Sequence, residues 1–379
     1  MKYVLFYTVN GLGLGHLTRC LAISRQLKKQ DSSLVPLFFT ASEGSDLLYQ
    51  EGFAYYKVPS KTIARDSKLL KRDLAISYSE ILTSIVNTYR PVALVVDTFP
   101  LGSMNDLLSV LALPLKWKKF FIHREQMNMD KNKIETQNFY DYIIAPHSKG
   151  SAKIPVPVNK REDLFWSNEI LIREKTELQS REEIRRKLDV KEDENLFLIN
   201  LGGGGDATTT ENYRQIFDLI LGSSSLLRQK KIRLFVPKPV LNSGNSFNEF
   251  KEIFSKLSSS TLTFSHFPLM ELMPALDFAI SAAGYNTFNE LLCCGVPTIF
   301  IPKSRGFDDQ YGRAKRAFDA KAALFVEENQ IQTHLINTMK VLFDKKTEIS
   351  QTTSSFIQTD GAEQAARFLS EKINVHLGI

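Results

Sequence analysis

Residues 3–30 read YVLFYTVNGLGLGHLTRCLAISRQLKKQ, and this stretch decides the fold. The apolar run 3–8 predicts a buried β-strand, and apolar residues at helical spacing after His16 predict an α-helix. Between them, glycines that include Gly13 and Gly15 allow a tight turn and leave the start of the helix open to a ligand. A strand, a glycine turn and a helix in this order are typical of a Rossmann-like βα unit.

Short apolar runs alternate with helical patterns along the rest of the chain, which predicts parallel sheets covered by helices. Strands are expected in the first half at 3–8, 35–40, 93–97, 119–123 and 142–145, and in the second half at 196–201, 232–237, 261–264, 278–281 and 298–301. Helices are expected at 17–29, 69–89, 181–188 and 361–372. The predicted fold class is therefore α/β, with two doubly wound parallel-sheet domains.

The segment 154–158, IPVPV, suggests where the two domains join. Its spaced prolines cannot lie in a central strand or a helix interior. We therefore expect an N-terminal domain at 1–157 and a C-terminal domain at 158–360. A final helical segment, 361–379, is expected to pack back toward the first domain.

Charge is distributed unevenly between the two halves. Residues 1–160 contain 21 Lys and Arg against 13 Asp and Glu, a net charge of +8, whereas the remainder contains 27 against 29, a net charge of −2. A basic half favours an anionic partner such as a phosphate or a lipid surface, although a basic protein without such a partner fits equally. Candidates for peripheral membrane contact, with a merely solvated surface as the alternative, are Lys61, Arg65, Lys68, Lys71 and Arg72, together with Trp117, Lys118 and Lys119. No nucleic-acid-binding module accompanies these residues, so no nucleic acid partner is expected.

The cysteine pattern and the lack of long apolar stretches indicate where in the cell the protein is expected. Cys20, Cys293 and Cys294 form neither a disulfide framework nor a metal-binding spacing, so no metal site is expected. No segment approaches the ~18–20 apolar residues that span a bilayer, and the N-terminal apolar run is too short for a signal peptide. We expect a cytoplasmic protein that is at most peripheral on the inner membrane face.

Two turns in the second half have the composition of phosphate-binding loops. Gly203, Gly204 and Gly205 belong to a run of glycines after the strand 196–201, and such a run favours a close-approach ligand turn over a flexible connector. A helix that begins near Gly284 in the segment 281–290, SAAGYNTFNE, would direct free amides at an anion.

Two further stretches contain side chains suited to hydroxyl groups. Glu290 lies one turn into the helix that begins near Gly284, and its carboxylate suits a ribose diol better than a phosphate, with a solvated helix residue as the alternative. Asp309 and Gln310 follow the strand 298–301, and their oxygens suit the hydroxyls of a hexose, with an Asp-capped helix start as the alternative.

These turns together resemble the GT-B glycosyltransferases, most closely the MurG-like branch. The pattern from 202 to 310 is similar to that family's donor half, and the stretch from Gly13 to His16 is similar to its glycine turn with a histidine. The stretch 122–128, IHREQMN, is similar to its His-Glu-Gln-Asn element but has extra residues, and it marks His123 and Glu125 as acceptor-side residues. The resemblance implies two Rossmann-like domains that face each other across a cleft, usually without a metal.

The resemblance also implies roles for individual residues. Glu290 would hold the ribose, Gly284, Asn286 and Thr287 the diphosphate, Asp309 and Gln310 the sugar, and the backbone around Phe267 and Met270 the base. The sequence departs from the family at Arg313, where the family often has asparagine.

A second likeness concerns Asp97, at the end of the predicted strand 93–97. Glycosyltransferases that act on small hydroxyl acceptors pair a histidine in the first turn with an aspartate in this kind of position. The carboxylate would fix the tautomer of His16, so that the other ring nitrogen can accept a proton from an acceptor hydroxyl. A dinucleotide enzyme is disfavoured because no acidic residue ends the second strand before Glu43.

The resemblance therefore implies a metal-independent, inverting transfer of a hexose or N-acetylhexosamine from a nucleoside diphosphate sugar to an acceptor hydroxyl. UDP is the favoured nucleotide, the sugar nucleotide is a co-substrate, and no cofactor is expected. The acceptor stays open among small molecules, glycans and lipid-linked molecules. Alternatives are a UDP-sugar hydrolase of the pseudaminic acid type, which residues 15–21 also resemble, a sugar-nucleotide epimerase, and a non-catalytic nucleotide-sugar-binding subunit.

Overall fold

The computed structural model describes residues 1–9, 13–127, 129–202, 207–238, 261–304, 308–357 and 359–378. The chain forms two compact units, residues 1–172 with 358–379, and residues 173–357. The sequence placed the boundary after residue 157, whereas the first unit continues to Ile172. The difference arises because a further strand, Leu164–Trp166, pairs with the first sheet beyond the prolines.

The first unit is built on a parallel sheet, which has seven strands in the described residues. The strands are β1 (Lys2–Thr8), β2 (Leu34–Thr40), β3 (Ala54–Lys57), β4 (Ala93–Asp97), β5 (Lys118–Ile122), β6 (Tyr142–Ala145) and β7 (Leu164–Trp166). Their order is β3-β2-β1-β4-β5-β6-β7. The chain leaves β1 toward β2 and later returns to the other side of β1, so the topological switch point lies between β1 and β4.

Helices cover this sheet and bury its apolar side chains. In the first part of the chain they are α1 (Gly15–Gln30), α2 (Asp46–Gln50), α3 (Lys61–Asp66), α4 (Lys71–Tyr89), α5 (Leu108–Leu111) and α6 (Lys131–Glu135). The core between the strands and α4 includes Tyr7, Phe39, Tyr78 and Phe121, each wholly buried. Trp117 is also buried there, so the expectation that it faces a lipid surface is wrong: it packs into the core just before β5.

The second unit contains a second parallel sheet. Its strands in the described residues are β8 (Asn195–Asn200), β9 (Ile232–Phe235), β10 (Phe278–Ser281), β11 (Thr298–Phe300) and β12 (Leu324–Phe325), in the order β12-β11-β10-β8-β9. The switch point lies between β8 and β10, the two strands that precede the glycine-rich turn and the Gly284 turn. The predicted strand at 261–264 is not formed, since Leu262 makes a single isolated bridge with Phe235.

The helices of the second unit, within the described residues, are α7 (Arg181–Lys187), α8 (Ala207–Gly222), α9 (Ser224–Gln229), α10 (Tyr285–Cys293), α11 (Gln310–Asp319), α12 (Ile331–Asp344) and α13 (Lys346–Phe356). A buried carboxylate, Asp277, ties several of these elements together. It accepts hydrogen bonds from Arg181, Arg185, Lys346 and the backbone N–H of Leu196. This one side chain therefore joins four elements: α7, α13, β8 and the start of β10.

The last helix, α14 (Gly361–Leu377), belongs to the first unit and packs against α1. Phe368 on α14 stacks on Phe165 of β7 with ring centroids 4.3 Å apart and an interplanar angle of 2°. Gly361 allows the helix to begin close to the main chain, since a Cβ atom there would lie 2.4 Å from the carbonyl oxygen of Glu169. Among the described helices, none is long and apolar enough to cross a membrane.

Candidate active site

The first candidate site lies at the switch point between β1 and β4. Asp97 ends β4, and His16 lies in the first turn of α1, which follows β1. Because the carboxyl ends of parallel strands meet at one edge of the sheet, these two side chains come together. The distance from His16 Nδ1 to Asp97 Oδ2 is 2.7 Å.

A third residue, Arg19, completes this site from the next turn of α1. Its Nε donates to Asp97 Oδ1 at 3.2 Å, and its Nη2 donates to Oδ2 at 2.7 Å. Burial raises the pKa of Asp97, but the charge of Arg19, the attraction of His16 and their hydrogen bonds outweigh burial and lower the pKa to about 2. Asp97 is therefore a carboxylate at neutral pH, and the Arg19 pair compensates for its burial.

The charge of Asp97 decides the tautomer of His16. Burial lowers the pKa of His16 below its usual value, and Arg19 and Arg124 lower it further against the opposing attraction of Asp97. In the neutral ring the carboxylate accepts the Nδ1 proton, which leaves Nε2 as the unprotonated nitrogen. Nε2 has no hydrogen-bond partner among the described residues, and the side chain keeps 12% of its surface exposed. This arrangement can accept a proton.

The backbone immediately after Asp97 is strained. Thr98 has a φ of 69°, a region that β-branched residues rarely occupy, and Phe99 N–H donates to the Asp97 carbonyl at 2.8 Å across a γ-turn. The backbone N–H of Thr98 donates to Ile122 O at 3.0 Å and holds the turn against β5. The turn places the partly exposed ring of Phe99 with its centroid 5.4 Å from that of His16.

His123 and Glu125, predicted on the acceptor side, are both buried. His123 Nε2 lies 3.1 Å from the sulfur of Met129, and burial lowers the pKa of His123 to about 4 against a smaller opposing effect of Gln137. Glu125 accepts a hydrogen bond from the backbone N–H of Lys153. In this structure both side chains stabilise the loop after β5, and an acceptor role for them stays a prediction.

The glycine turn before α1 is described in part. Gly13 is exposed, and Gly15 is the first residue of the helix. A Cβ atom on Gly15 would have no described atom within 4 Å, so packing within the described residues does not require glycine there. Leu14, the N-cap residue, makes no side-chain cap, so nothing within the described residues caps the first amides of the helix.

The second candidate site lies at the start of α10, after β10. Gly284 is the N-cap residue and offers no capping side chain, so the first-turn amides are not satisfied by a cap. The backbone N–H groups of Gly284, Asn286 and Thr287 have no acceptor among the described residues. Free amides and the positive end of the helix dipole make this helix start suitable for an anion.

Glu290 lies on α10, six residues after Gly284, and is 6% exposed. No hydrogen bond or ion pair among the described residues involves its carboxyl group. Burial alone raises its pKa to about 7. A buried carboxyl group without a partner is costly to the fold, and such groups concentrate at functional sites.

Asp309 and Gln310, predicted to contact the sugar, have structural partners. Asp309 Oδ1 caps α11 by accepting from Gly312 N–H at 2.8 Å, which is the arrangement of the alternative interpretation. Gln310 Oε1 accepts from Lys303 N–H, and its Nε2 donates to Asp308. A direct contact of either side chain with a sugar stays a prediction, and for Gln310 it requires exchange of these bonds.

The remaining predicted donor residues divide into two groups. Gly203, Gly204 and Gly205 lie outside the described residues. Met270 is wholly buried in a 3-10 helix, Leu269–Ala275, and Phe267 is partly buried. Burial of the Met270 side chain is compatible with a contact made by its backbone only, and that contact stays a prediction. In the described part of the chain, no group of three or more His, Cys, Asp or Glu side chains could hold a metal ion.

Comparisons with known proteins bear on both units. Residues 210–368 match the glycosyltransferase family 28 C-terminal domain. Two solved structures align with nearly the whole chain. S. aureus MnaA with UDP aligns with a TM-score of 0.69 and 11% identity, over 100% of this chain and 97% of that one. Acinetobacter baumannii MurG aligns with a TM-score of 0.58 and 13% identity, over 99% of this chain and 100% of that one. The chain has the GT-B fold, and its sequence resembles the MurG-like branch.

A curated relative supports the same resemblance. The Rickettsia felis UDP-N-acetylglucosamine–N-acetylmuramyl-(pentapeptide) pyrophosphoryl-undecaprenol N-acetylglucosamine transferase is 31% identical over 176 residues, which is 44% of this chain and 46% of the relative. The match thus spans about half of the relative's length. The predicted fold class and the predicted resemblance are both confirmed.

Sequence reasoning missed two arginines that organise these sites. Arg19 follows His16 by three residues on α1, a spacing that places both on one face, and this signal was available. Arg313 was noted only as a departure from the family. Its guanidinium donates to the carbonyl of Ala283 and to Asp308, and no local sequence pattern indicates either bond.

Proposed function

We propose that this protein is an inverting, metal-independent glycosyltransferase that moves a hexose or N-acetylhexosamine from a UDP-sugar to an acceptor hydroxyl. The observation that carries the proposal is the 2.7 Å pair of His16 Nδ1 and Asp97 Oδ2, in a chain whose residues 210–368 match the family 28 domain. An unprotonated Nε2 that has no partner among the residues described here supports a base that acts on a hydroxyl group.

In the proposed reaction, His16 Nε2 takes the proton of the acceptor hydroxyl, and the oxygen attacks the anomeric carbon from the face opposite the departing nucleotide. Asp97 stabilises the imidazolium that forms. The amides at the start of α10 bind the diphosphate and stabilise the charge that develops on it. Glu290 accepts hydrogen bonds from the ribose hydroxyls.

The hydrogen-bonding properties of the residues on α10 support the proposed donor site. The amides of Gly284, Asn286 and Thr287, which have no acceptor in the described part of the chain, suit the anionic diphosphate. Glu290, whose carboxyl group has no partner within the residues that the structure describes, suits neutral hydroxyl donors, because a hydrogen-bonded diol would offset part of the cost of burying its charge. Gly203, Gly204, Gly205, Asp309 and Gln310 are proposed to complete the donor site.

The test begins with thermal-shift screening against UDP, GDP, dTDP and CDP and their sugars. A ligand at 100 times its Kd stabilises the protein by about 2.7 kcal/mol. The selected sugar nucleotide is then followed by NMR, alone and with glycan, lipid-linked and small-molecule acceptors. A new glycosidic bond that forms only with an acceptor supports the transferase.

The other outcomes of this incubation identify the alternatives. Free sugar released from the donor alone indicates a hydrolase, and a converted sugar nucleotide indicates an epimerase. A protein that binds the donor, and in which no acceptor or water reacts, is a non-catalytic subunit. Each of these three results would contradict the transferase proposal.

We also propose that the protein docks peripherally on the cytoplasmic face of an anionic membrane, and that its acceptor is lipid-linked. The segment between α3 and α4 supports this proposal: Leu69 and Leu70 are 50% and 66% exposed, and the exposed cations Lys68, Lys71 and Arg72 flank them. Exposed leucines beside lysine and arginine suit the boundary between lipid headgroups and acyl chains.

Sedimentation with lipid vesicles tests the docking proposal. We expect binding to vesicles that contain phosphatidylglycerol, weaker binding to phosphatidylcholine vesicles, and loss of binding in a Leu69→Gln, Leu70→Gln double variant. Val341→Gln is a matched control, because Val341 is an exposed apolar residue of α12 and belongs to the other unit. Equal sedimentation of the double variant and the wild type would contradict docking through this segment.

A further inference from the structure

The peptide bond between Ala283 and Gly284 is held by a buried arginine. Arg313 Nη1 donates to the carbonyl oxygen of Ala283 at 2.5 Å, and Nη2 donates to Asp308 Oδ1 at 3.0 Å. The Arg313 side chain is only 5% exposed. This arginine of α11 therefore connects the loop after β11 to the turn that starts α10.

The direction of the Ala283 carbonyl fixes the direction of the next N–H. A trans peptide is planar, and its C=O and N–H groups point to opposite sides of the chain. Since the carbonyl points toward Arg313, the N–H of Gly284 points away from the guanidinium. That N–H has no acceptor among the described residues.

The guanidinium itself has little freedom to move. Asp308, which holds Nη2, also accepts from Gln310 Nε2 at 3.1 Å, and Gln310 in turn accepts from the backbone of Lys303. The rings of Tyr285 and Phe288 lie on the guanidinium, with centroids 5.9 Å and 6.0 Å from Cζ. The orientation of the peptide is thus set before any ligand binds, and such preorganised donors bind charge effectively.

We propose that Arg313 is a positioning residue for a diphosphate ligand, and that it acts by aiming the Gly284 amide at a phosphate oxygen. The inference rests on the proposed function of the α10 start as the diphosphate site. A cation on the carbonyl also polarises the peptide and strengthens the N–H as a donor. Arg313 does not contact the ligand, and Asp308 compensates its charge.

The experiment compares UDP with uridine, which lacks the diphosphate. Removal of Arg313 alone would leave Asp308 buried without its cation, so the test variant is Arg313→Gln with Asp308→Asn. We expect the Kd for UDP to rise about 10- to 100-fold, the usual worth of a hydrogen bond to a charged group. The Kd for uridine should change less than about twofold on the same scale. Ligand-observed NMR competition covers both affinity ranges.

Two further variants separate positioning from folding. Arg313→Lys retains a cation but cannot bond Ala283 and Asp308 in the same two-pronged geometry, so it should lose part of the UDP affinity and keep uridine binding. Lys315→Gln on the same helix is the control, because Lys315 is exposed and its ion pair in the described residues is a local one with Asp319. The 31P resonances of bound UDP should shift in the Arg313 variants and not in the control.

Each outcome separates the inference from the proposed function. Equal losses of UDP and uridine affinity in the double variant, or unchanged UDP affinity, overturn the positioning role while the proposed function stands. A wild-type protein that binds neither UDP nor inorganic pyrophosphate overturns the proposed donor site and the inference with it.

Discussion

Glu290→Gln should make the protein more stable and bind nucleotides less well. The carboxyl group is buried without a partner among the described residues, and its pKa is raised to about 7 from a usual value of 4.5. Glutamine has nearly the same shape and no charge. The variant therefore removes the cost of burying a carboxylate and also removes the proposed acceptor of the ribose hydroxyls.

The magnitude follows from the difference in pKa. A shift of about 2.5 units at 1.36 kcal/mol per unit corresponds to about 3 kcal/mol. Because the pKa is raised in the folded state, the stabilising contribution of this group is complete below pH 4.5 and is lost as the pH rises through about 7. The variant should match the wild type near pH 4.5 and exceed it by about 3 kcal/mol at pH 8.

Thermal unfolding at several pH values measures this difference. For a unit of about 150–250 residues, 3 kcal/mol corresponds to a Tm increase of roughly 6–12 °C at pH 8. Glu192→Gln is the matched control, because Glu192 is exposed in the turn before β8 of the same unit and its removal should leave Tm nearly unchanged at both pH values. The Kd for UDP should rise about tenfold or more in Glu290→Gln, since hydrogen bonds to a charged group are lost.

Two results would refute this reasoning in different places. A Tm difference that is the same at pH 5 and pH 8 would show that Glu290 does not carry the cost of a buried charge. An unchanged UDP affinity beside the expected stabilisation would leave the burial argument intact and remove Glu290 from the ribose site.

Further predictions concern residues that stabilise the two units. Arg19→Gln should lower the free energy of unfolding by about 3–5 kcal/mol, because Asp97 loses its buried cation. Loss of the arginine charge should also raise the pKa of His16, so the acid limb of the kcat/KM profile should move to higher pH, and an unmoved limb would contradict this. Asp277→Asn should lower the free energy of unfolding by about 3–5 kcal/mol, measured with denaturant at pH 7. Burial raises the pKa of Asp277, but Lys346, Leu196 and Arg181 together lower it by more, so the stability difference between wild type and variant should vanish as the pH falls through the usual aspartate range and below. Gly361→Ala should cost about 1–3 kcal/mol because its Cβ would meet the backbone of Glu169, whereas Gly222→Ala, with open space around it, should cost nothing; equal effects would refute the packing argument.

Local sequence patterns were sufficient for the elements that form the two switch points. The apolar runs of β1, β4, β8 and β10 are buried central strands, and the glycine-containing turns after β1 and β10 begin helices as expected. The edge strands β3 and β12 were not predicted because they are short and partly exposed, so no apolar run indicates them. Chain connectivity then brought His16 and Asp97 together, as the pattern of parallel strands predicted.

Long-range polar pairs were beyond the reach of local patterns. Arg313 and Ala283 are 30 residues apart, and their contact depends on how α11 packs beside the turn that starts α10. The partners of Gln310, Lys303 and Asp308, are close in sequence and were missed for another reason: composition shows that a polar loop residue suits a sugar, but not which neighbours it bonds to. Burial of Glu290 and Trp117 likewise follows from tertiary packing and not from their neighbours in sequence.

The most direct test of the proposed base compares wild type with His16→Gln in a reaction with UDP-sugar and the acceptor found by screening. Removal of a general base should reduce kcat about 10²- to 10⁴-fold, while the Kd for UDP stays unchanged. A variant that retains kcat within a few-fold, or that loses UDP binding in proportion to kcat, would contradict the account.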